Sequence, residues 1–266
     1  MGSVPHVLVK RRRFLLWSGT AVTGAGLAGC TGVRQAGMPA GDTGSRPAAA
    51  VRSPAVRPPG GDAGTQLAPQ VVHGPRHRTQ VALTFHGQGP VPMADALLAE
   101  AERAGAQVTV LAVGTWLRQY PQIAHRILRG GHDLGNHTMH HLDIKVMDAS
   151  GAYAEIAGCA RQLQALTGSA GRWFRPSQTQ YPTPLIEREA RKAGYPTCVS
   201  YDVDSLDYTD PGPDAIVSTV LGLSRPGSII SLHLGHPGTV TALPAIVRGL
   251  ASRGLRPVTL TKLLSP

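Results

Sequence analysis

The chain has 266 residues, 42% of them hydrophobic and 16% charged, with 32 Gly and 22 Pro. That length and apolar content suit one domain of catalytic size plus extras, and they exclude disorder throughout. The formal charge is +10, three Cys are too few for a disulfide-stapled miniprotein, and no apolar run reaches the roughly 18 residues of a multi-span membrane protein.

The first thirty residues read as an address. Lys10-Arg11-Arg12-Arg13 precedes Phe14-Leu15-Leu16-Trp17 and a mildly apolar stretch through Ala28. At about 15 residues this matches a signal-peptide core and falls short of a spanning helix. Arg11-Arg12-Arg13-Phe14-Leu15 fits a twin-arginine start, and Leu27-Ala28-Gly29-Cys30 looks like a bacterial lipobox, which implies acylation of Cys30 after cleavage before it. The plainer alternative is an N-terminal anchor or general secretory signal with a chance cysteine. Residues 1–29 are therefore expected to be a signal peptide, and without them the charge falls to +6. Residues 30–70 are rich in Pro, Gly, Ala and Ser and cannot offset the entropy of ordering, so a disordered tether is expected there. The other basic residues are dispersed among only 3 Phe, 3 Trp and 6 Tyr, which argues against a nucleic-acid partner. The expectation is an exported monomer, lipid-anchored to the outer face of the cell membrane.

From residue 71 apolar runs alternate with segments of helical period. In chain order the pattern predicts a strand over Val81 to Phe85, a helix over Ala94 to Ala104 stopping at Gly105, and a strand over Val108 to Val113. A helix follows from Pro121 to Arg129, with Pro at its start and Gly130-Gly131 at its end, then a weaker strand over Asp133 to Gly135. Next come a helix over Ala152 to Leu166, a weaker strand at Trp173 to Arg175, and strands at Thr197 to Tyr201 and Ile229 to His233. A last helix runs from Thr239 to Arg253, and a last strand from Val258 to Leu260. About seven strands alternating with helices predict an α/β domain of parallel strands over residues 71–266, as a small irregular barrel or an open doubly wound sheet. Both gather ligands at the carboxyl ends of the strands.

Reactive residues fall at five of those ends: His86, His137, Arg175, the group Asp202, Asp204 and Asp207, and His233. The sharpest local signal is Gly135-Asn136-His137-Thr138-Met139-His140-His141. If His137 opens a helical turn, His141 lies on the same face four residues on, close enough for both imidazoles to grip one metal ion, while His140 points elsewhere. Thr138 stands where a metallopeptidase helix needs Glu, so a peptidase is disfavoured.

The His137 to His141 stretch, Phe174-Arg175-Pro176, Asp204-Ser205-Leu206-Asp207-Tyr208 and Ser228-Ile229-Ile230-Ser231-Leu232-His233 occur in an order that resembles the polysaccharide deacetylases. These are the family four carbohydrate esterases related to nodulation-type chitooligosaccharide deacetylases. Val81-Ala82-Leu83-Thr84-Phe85 resembles the strand opening the family's first motif, and Arg256-Pro257-Val258-Thr259-Leu260 its last strand. The resemblance, from about Val81 to Leu264, implies a distorted (β/α) barrel and removal of N- or O-acetyl groups from glycans with a divalent metal, commonly zinc. It further implies that His137 and His141 are metal ligands, that Arg175 orients the catalytic base, that Asp204 or Asp207 tunes the acid, and that His233 is that acid.

One motif departs from the pattern. The family reads Thr-Phe-Asp-Asp-Gly-Pro, the first Asp a base and the second a metal ligand, whereas this chain reads Thr84-Phe85-His86-Gly87-Gln88-Gly89-Pro90. Two readings follow. In the first, His86, His137 and His141 hold zinc, His233 protonates the departing amine, and the chain deacetylates a cell-envelope or extracellular polysaccharide such as peptidoglycan. Arg175, without its usual carboxylate, then pairs with Asp202 or Asp204, or meets substrate. In the second, the chain is a membrane-tethered glycan-binding protein whose chemistry is impaired by the missing carboxylates. Cys159, on a helical apolar stripe, reads as core, and a Cys159–Cys198 disulfide stays open at this level.

Overall fold

The computed structural model describes residues 67–266; Cys30, the export signal and most of the expected tether lie outside the described residues. The chain runs β1 (Gln70–Val71), β2 (Gln80–Gly87), α1 (Val91–Arg103), β3 (Thr109–Ala112), α2 (Gly114–Gln119), α3 (Pro121–Arg129), β4 (Asp133–Asn136) and α4 (Ala149–Thr167). It continues through α5 (Pro184–Lys192), β5 (Cys198–Val199), β6 (Val203–Asp204), α6 (Pro213–Leu223), β7 (Ile229–His233), α7 (Pro237–Ser252), β8 (Arg256–Pro257) and α8 (Leu260–Leu264). β1 thus begins one residue before the expected domain start.

Local chemistry sets these limits. The Asp148 carboxylate accepts from Gly151 N–H to open α4, and Gly168, with φ of 76°, closes it in the left-handed conformation. The last strand lies earlier than expected. β8 ends at Pro257, and Thr259 caps a helix by accepting from Lys262 N–H, so Leu260 opens α8 instead of ending a strand. At Trp173 to Arg175 there is no full strand. Phe174 makes single parallel bridges to Asn136 and Cys198, and Pro176 then withholds the next donor.

β2 is the centre of the sheet, with β3 on one side, β7 on the other and β8 along its first residues; the order is β4-β3-β2-β7-β6 and every ladder is parallel. β5 pairs with β1, and His73 bridges antiparallel to Ser228 at the start of β7. Together with Phe174 these links carry the strands round in a ring that no continuous ladder closes, giving an α/β fold with an incomplete, distorted barrel.

The period-two alternation of β2 sorts its side chains. Val81, Leu83 and Phe85 join the main core with residues of α1, α6 and α7, each fully buried, and full burial of such a Leu or Phe is worth about 1.5–3 kcal/mol. Ala82 faces the other way, packing with Leu111, Trp173, Val199 and Ile229 on Leu260 and Leu263 of α8, which plugs one end of the barrel. Above this plug the interior turns polar, with Thr84 and then His86. Cys159 and Cys198 sit in separate core clusters as free, buried thiols, so no disulfide joins them.

Candidate active site

Parallel register does most of the assembly. β2 and β7 pair with Thr84 opposite Ser231 and His86 opposite His233, so the two-residue repeat of each strand aims four polar side chains at one end of the barrel. His86 and His233 stack with ring centroids 4.3 Å apart.

β4 delivers the second pair of histidines, by a route other than the expected helical turn. The buried Asn136 amide donates to Ile156 O and to the Tyr195 hydroxyl, while its Oδ1 accepts the Thr138 N–H. Thr138 and His141 then adopt left-handed backbone, with φ of 68° and 58°, and the loop doubles back. The rings of His137 and His141 come within 4.9 Å through this loop, not through helical spacing. His140 turns away to Glu155, as the spacing predicts, with 2.6 Å between Nδ1 and Oε1.

His86, His137 and His141 each offer a ring nitrogen to one cluster, all within 4.8 Å of one another. His137 Nδ1–H donates to Arg175 O at 3.0 Å, which points its Nε2 at the cluster and fixes the tautomer a metal ligand needs. Burial, and then the neighbouring charges, hold the pKa of His86 and of His137 well below the ordinary imidazole value; burial also lowers that of His141. All three are neutral at pH 7, as zinc requires. The donor set therefore fits a divalent ion of borderline softness, with one adjustment. His86 Nδ1 and His137 Nε2 lie 2.9 Å apart, a hydrogen-bond distance, whereas two nitrogens on one tetrahedral zinc stand about 3.3 Å apart.

The proton between those rings is set by Arg175. Its Nη1–H donates to His86 Nε2 at 3.3 Å, which places the His86 proton on Nδ1, facing His137. Ser231 Oγ, 3.0 Å from the same Nε2, accepts in the alternative tautomer, so either nitrogen of His86 can be freed. Arg175 itself is fully buried and meets no carboxylate among the described residues. It donates to Val199 O, Ser200 O and Thr84 Oγ1 and lies 5.2 Å over the Tyr201 ring. Burial pushes its pKa down to about 10. Neither pairing expected for it is found, because Asp202 is engaged by Arg76 at 2.8 Å and by Ser228, and Asp204 turns to the cleft.

Of the two acids weighed as partners of His233, Asp207 is the one in contact. Fully buried, it accepts from His233 Nδ1–H at 2.7 Å, His233 N–H at 2.7 Å and Thr239 Oγ1–H at 2.6 Å. Burial alone would raise its pKa, but the hydrogen bond and charge of His233 outweigh it and hold the carboxyl below its usual range. Asp204 sits apart, accepting from Leu206 N–H at 3.1 Å in a turn that lets Leu206 take a φ of 57°.

These groups open into a cleft of about 350 Å³, at the small end of ligand-sized pockets, whose walls include His86, His141, His233, Asp204, Tyr208 and the Gln178–Gln180 loop. Trp116 is buried, and its Nε1–H holds Gly89 O. The sequence assigns no site role to Ser231, Thr84 or Thr239, although Thr84 and Ser231 stand two residues before His86 and His233 on the same strand faces.

A family model described as polysaccharide deacetylase matches residues 73–198. Peptidoglycan-N-acetylglucosamine deacetylase of Bacillus cereus is 30% identical over 193 residues, covering 70% of this chain and 69% of that protein. Chitooligosaccharide deacetylase of Sinorhizobium fredii is 31% identical over 189 residues, covering 65% and 86%. In fold the chain is similar to a CE4 family pseudoenzyme from Bacillus anthracis, with a TM-score of 0.71 and 22% identity over 75% of this chain and 70% of that one; a mutant of that pseudoenzyme is described as having restored enzymatic activity. Similarity at this level over more than two thirds of a peptidoglycan deacetylase, on the same parallel-stranded fold, makes this chain a member of the polysaccharide deacetylase family.

Proposed function

We propose that this chain is a metal-dependent hydrolase that removes acetyl groups, from nitrogen in preference to oxygen, on an acetylated cell-envelope or extracellular polysaccharide such as peptidoglycan. The observation that carries this reading is the convergence, at one strand-end cleft, of the His233–Asp207 couple and the cluster of His86, His137 and His141. Those three histidines would hold the divalent ion, zinc by the chemistry of the donors. When bound, such an ion supplies Lewis acidity toward an acetyl carbonyl and toward water.

The remaining work falls to the chain's own groups. Asp207 accepts the His233 Nδ1–H, which leaves Nε2 as the free nitrogen of a ring that lines the cleft. Nε2 takes a proton from the attacking water as the new carbon–oxygen bond forms, and returns it to the amine nitrogen as the carbon–nitrogen bond breaks, giving acetate and a free amine. Buried Asp207 stabilises the imidazolium between those transfers, as the carboxylate of a catalytic triad does. Arg175 acts at one remove, holding His86 and, through its carbonyl, His137. On the sequence reading of residues 1–30, the domain works outside the cell, tethered through acylated Cys30; retention of a Cys30→Ser protein in the membrane fraction would sink that part.

A second reading, a tethered glycan-binding protein without turnover, is favoured by one specific observation. His86 stands in place of the first acid of the family motif, and at Gly87, beside it, an added Cβ would lie 2.8 Å from Ala112 Cα. Acetate release separates the two. Purified protein stripped of metal and titrated with zinc is offered peptidoglycan fragments, chitooligosaccharides and acetylated xylan. Metal-dependent release that His137→Ala abolishes supports the hydrolase; glycan binding without release on any substrate supports the binder.

A further inference from the structure

The cleft wall beyond the histidines is lined by polar side chains. Gln178 Nε2 donates to His141 O at 2.8 Å, Gln180 Nε2 donates to Tyr201 O at 3.0 Å, and Thr179 Oγ1 donates to Tyr181 O at 2.9 Å. Each Gln amide keeps its oxygen and one N–H uncommitted, and the Thr179 hydroxyl keeps its lone pairs, so the three consecutive side chains offer the cleft acceptor oxygens together with one N–H from each Gln. Asp204, partly buried on the same cleft, uses one carboxylate oxygen on Leu206 N–H, and the other has no partner among the described residues. Among the described residues it makes no ion pair, since Arg175 is spent on Thr84, His86 and backbone carbonyls. A carboxylate oxygen with no protein partner on the cleft wall is open to a donor from a bound molecule, and a charge-assisted hydrogen bond is the strong kind.

We propose that Asp204 is a specificity-determining residue that accepts from a hydrogen-bond donor on the sugar, with the Gln178–Gln180 loop supplying weaker acceptors beside it. This rests on the glycan reading above and reassigns Asp204 from the His233 couple to substrate recognition. The donor is a ring hydroxyl or, on a glycan already partly stripped of acetyl groups, an ammonium. The site thus rejects sugars whose groups in that position can only accept.

The test is binding, by calorimetry, of the full zinc-loaded protein and its Asp204→Asn variant to two probes: a fully N-acetylated chitooligosaccharide and a partly de-N-acetylated one of equal length. Asn keeps the acceptor for Leu206 N–H but trades the free carboxylate oxygen for an amide N–H, so the turn survives and only the recognition changes. Affinity is expected to fall about tenfold or more. A loss on both probes, insensitive to salt, identifies a hydroxyl; a loss confined to the partly de-N-acetylated probe, shrinking at high salt, identifies the ammonium. Unchanged binding of both probes by Asp204→Asn overturns the role of Asp204 and leaves the glycan reading standing. Failure of the unaltered protein to bind either probe overturns both. An unchanged melting temperature and zinc stoichiometry in the variant separate recognition from a merely structural role.

Discussion

Gly87 decides whether the acid missing from the first motif can simply be put back. A Cβ built there would sit 2.8 Å from Ala112 Cα, 2.8 Å from Val110 Cγ1 and 3.1 Å from Ala112 Cβ. Carbon atoms in contact prefer about 3.5–4.0 Å, so β2 and β3 must part by roughly 0.7 Å at their paired residues Gly87 and Ala112. Overpacking of this kind costs about 1–3 kcal/mol. The backbone at Gly87 is not left-handed, and a Gly to Ala change at a compatible site stabilises by about 0.4–1 kcal/mol, so the sign of the effect is itself diagnostic. Gly87→Ala should lower the melting temperature by about 2–12 °C, at roughly 2–4 °C per kcal/mol for a domain of this size. Gly87→Asp should lower it further, because a larger side chain must be placed where the Cβ alone already overlaps Ala112 and Val110. The assay is thermal denaturation followed by circular dichroism on the metal-free protein. An unchanged or raised melting temperature in Gly87→Ala would refute the steric argument and reopen the position to a ligand.

Four other outcomes are expected. Zinc at about a hundred times its dissociation constant should stabilise the domain by about 2.7 kcal/mol, a rise of about 5–11 °C in melting temperature that His86→Ala and His137→Ala each reduce. His86 and His137 have pKa values depressed by burial, so the unfolded chain binds more protons below about pH 6.5 and metal-free stability should fall as pH drops through that range; each single His to Ala variant should flatten the slope in a pH series of denaturant melts. Asp207→Asn should cut acetate release about a hundredfold or more, since an amide cannot both hold His233 Nδ1–H and balance the imidazolium, while zinc binding persists. His86→Asp places a carboxylate beside Arg175 Nη1 and Ser231 Oγ, and it should fold with near-normal stability, measured in the same melts as Gly87→Ala.

The fold was readable where period and punctuation agree. The helix over Pro121–Arg129 is found with the expected bounds, and Ile229–His233 is the strand that its apolar run implies. α2, α5 and α6 were passed over. α5 carried a legible start in Thr183-Pro184, but its nine residues are mostly charged and show too little apolar stripe to stand out. β1 and β6 have two residues each, too short for any alternation to register. Among the site residues, strand-end placement marked His86, His137, Arg175 and His233, all of which meet in or directly beneath the cleft. The choice between Asp204 and Asp207 could not be made from spacing, because a turn of left-handed Leu206 followed by a short 3₁₀ segment sends the two carboxylates in different directions. The link from Arg175 to His86 rests on which neutral partners surround a buried guanidinium, information that lies in the packing of β2 against β5 and the residues that follow it, and in no local pattern.

The two faces of the barrel handle left-handed backbone differently. On the turns that lead from helices back into strands, Gly105, Gly131, Gly194, Gly227 and Gly254 take positive φ, where no side chain resists it. On the loops leaving the strands, where the cleft opens, Gly89 and Gly212 take it too, but so do five residues with side chains, Thr138, His141, Gln178, Leu206 and Asp210. Each such L-residue costs roughly 1–2 kcal/mol relative to an unstrained conformation. The lower face thus leaves positive φ to glycine, whereas the upper face also imposes it on residues whose side chains the cleft and its loops use. Stability and activity should therefore be separable by geography. Glycine introduced at these upper positions would relax the backbone while erasing a cleft side chain or loosening the loop that carries one, so a screen for thermostable variants that ignores activity should return to this rim repeatedly.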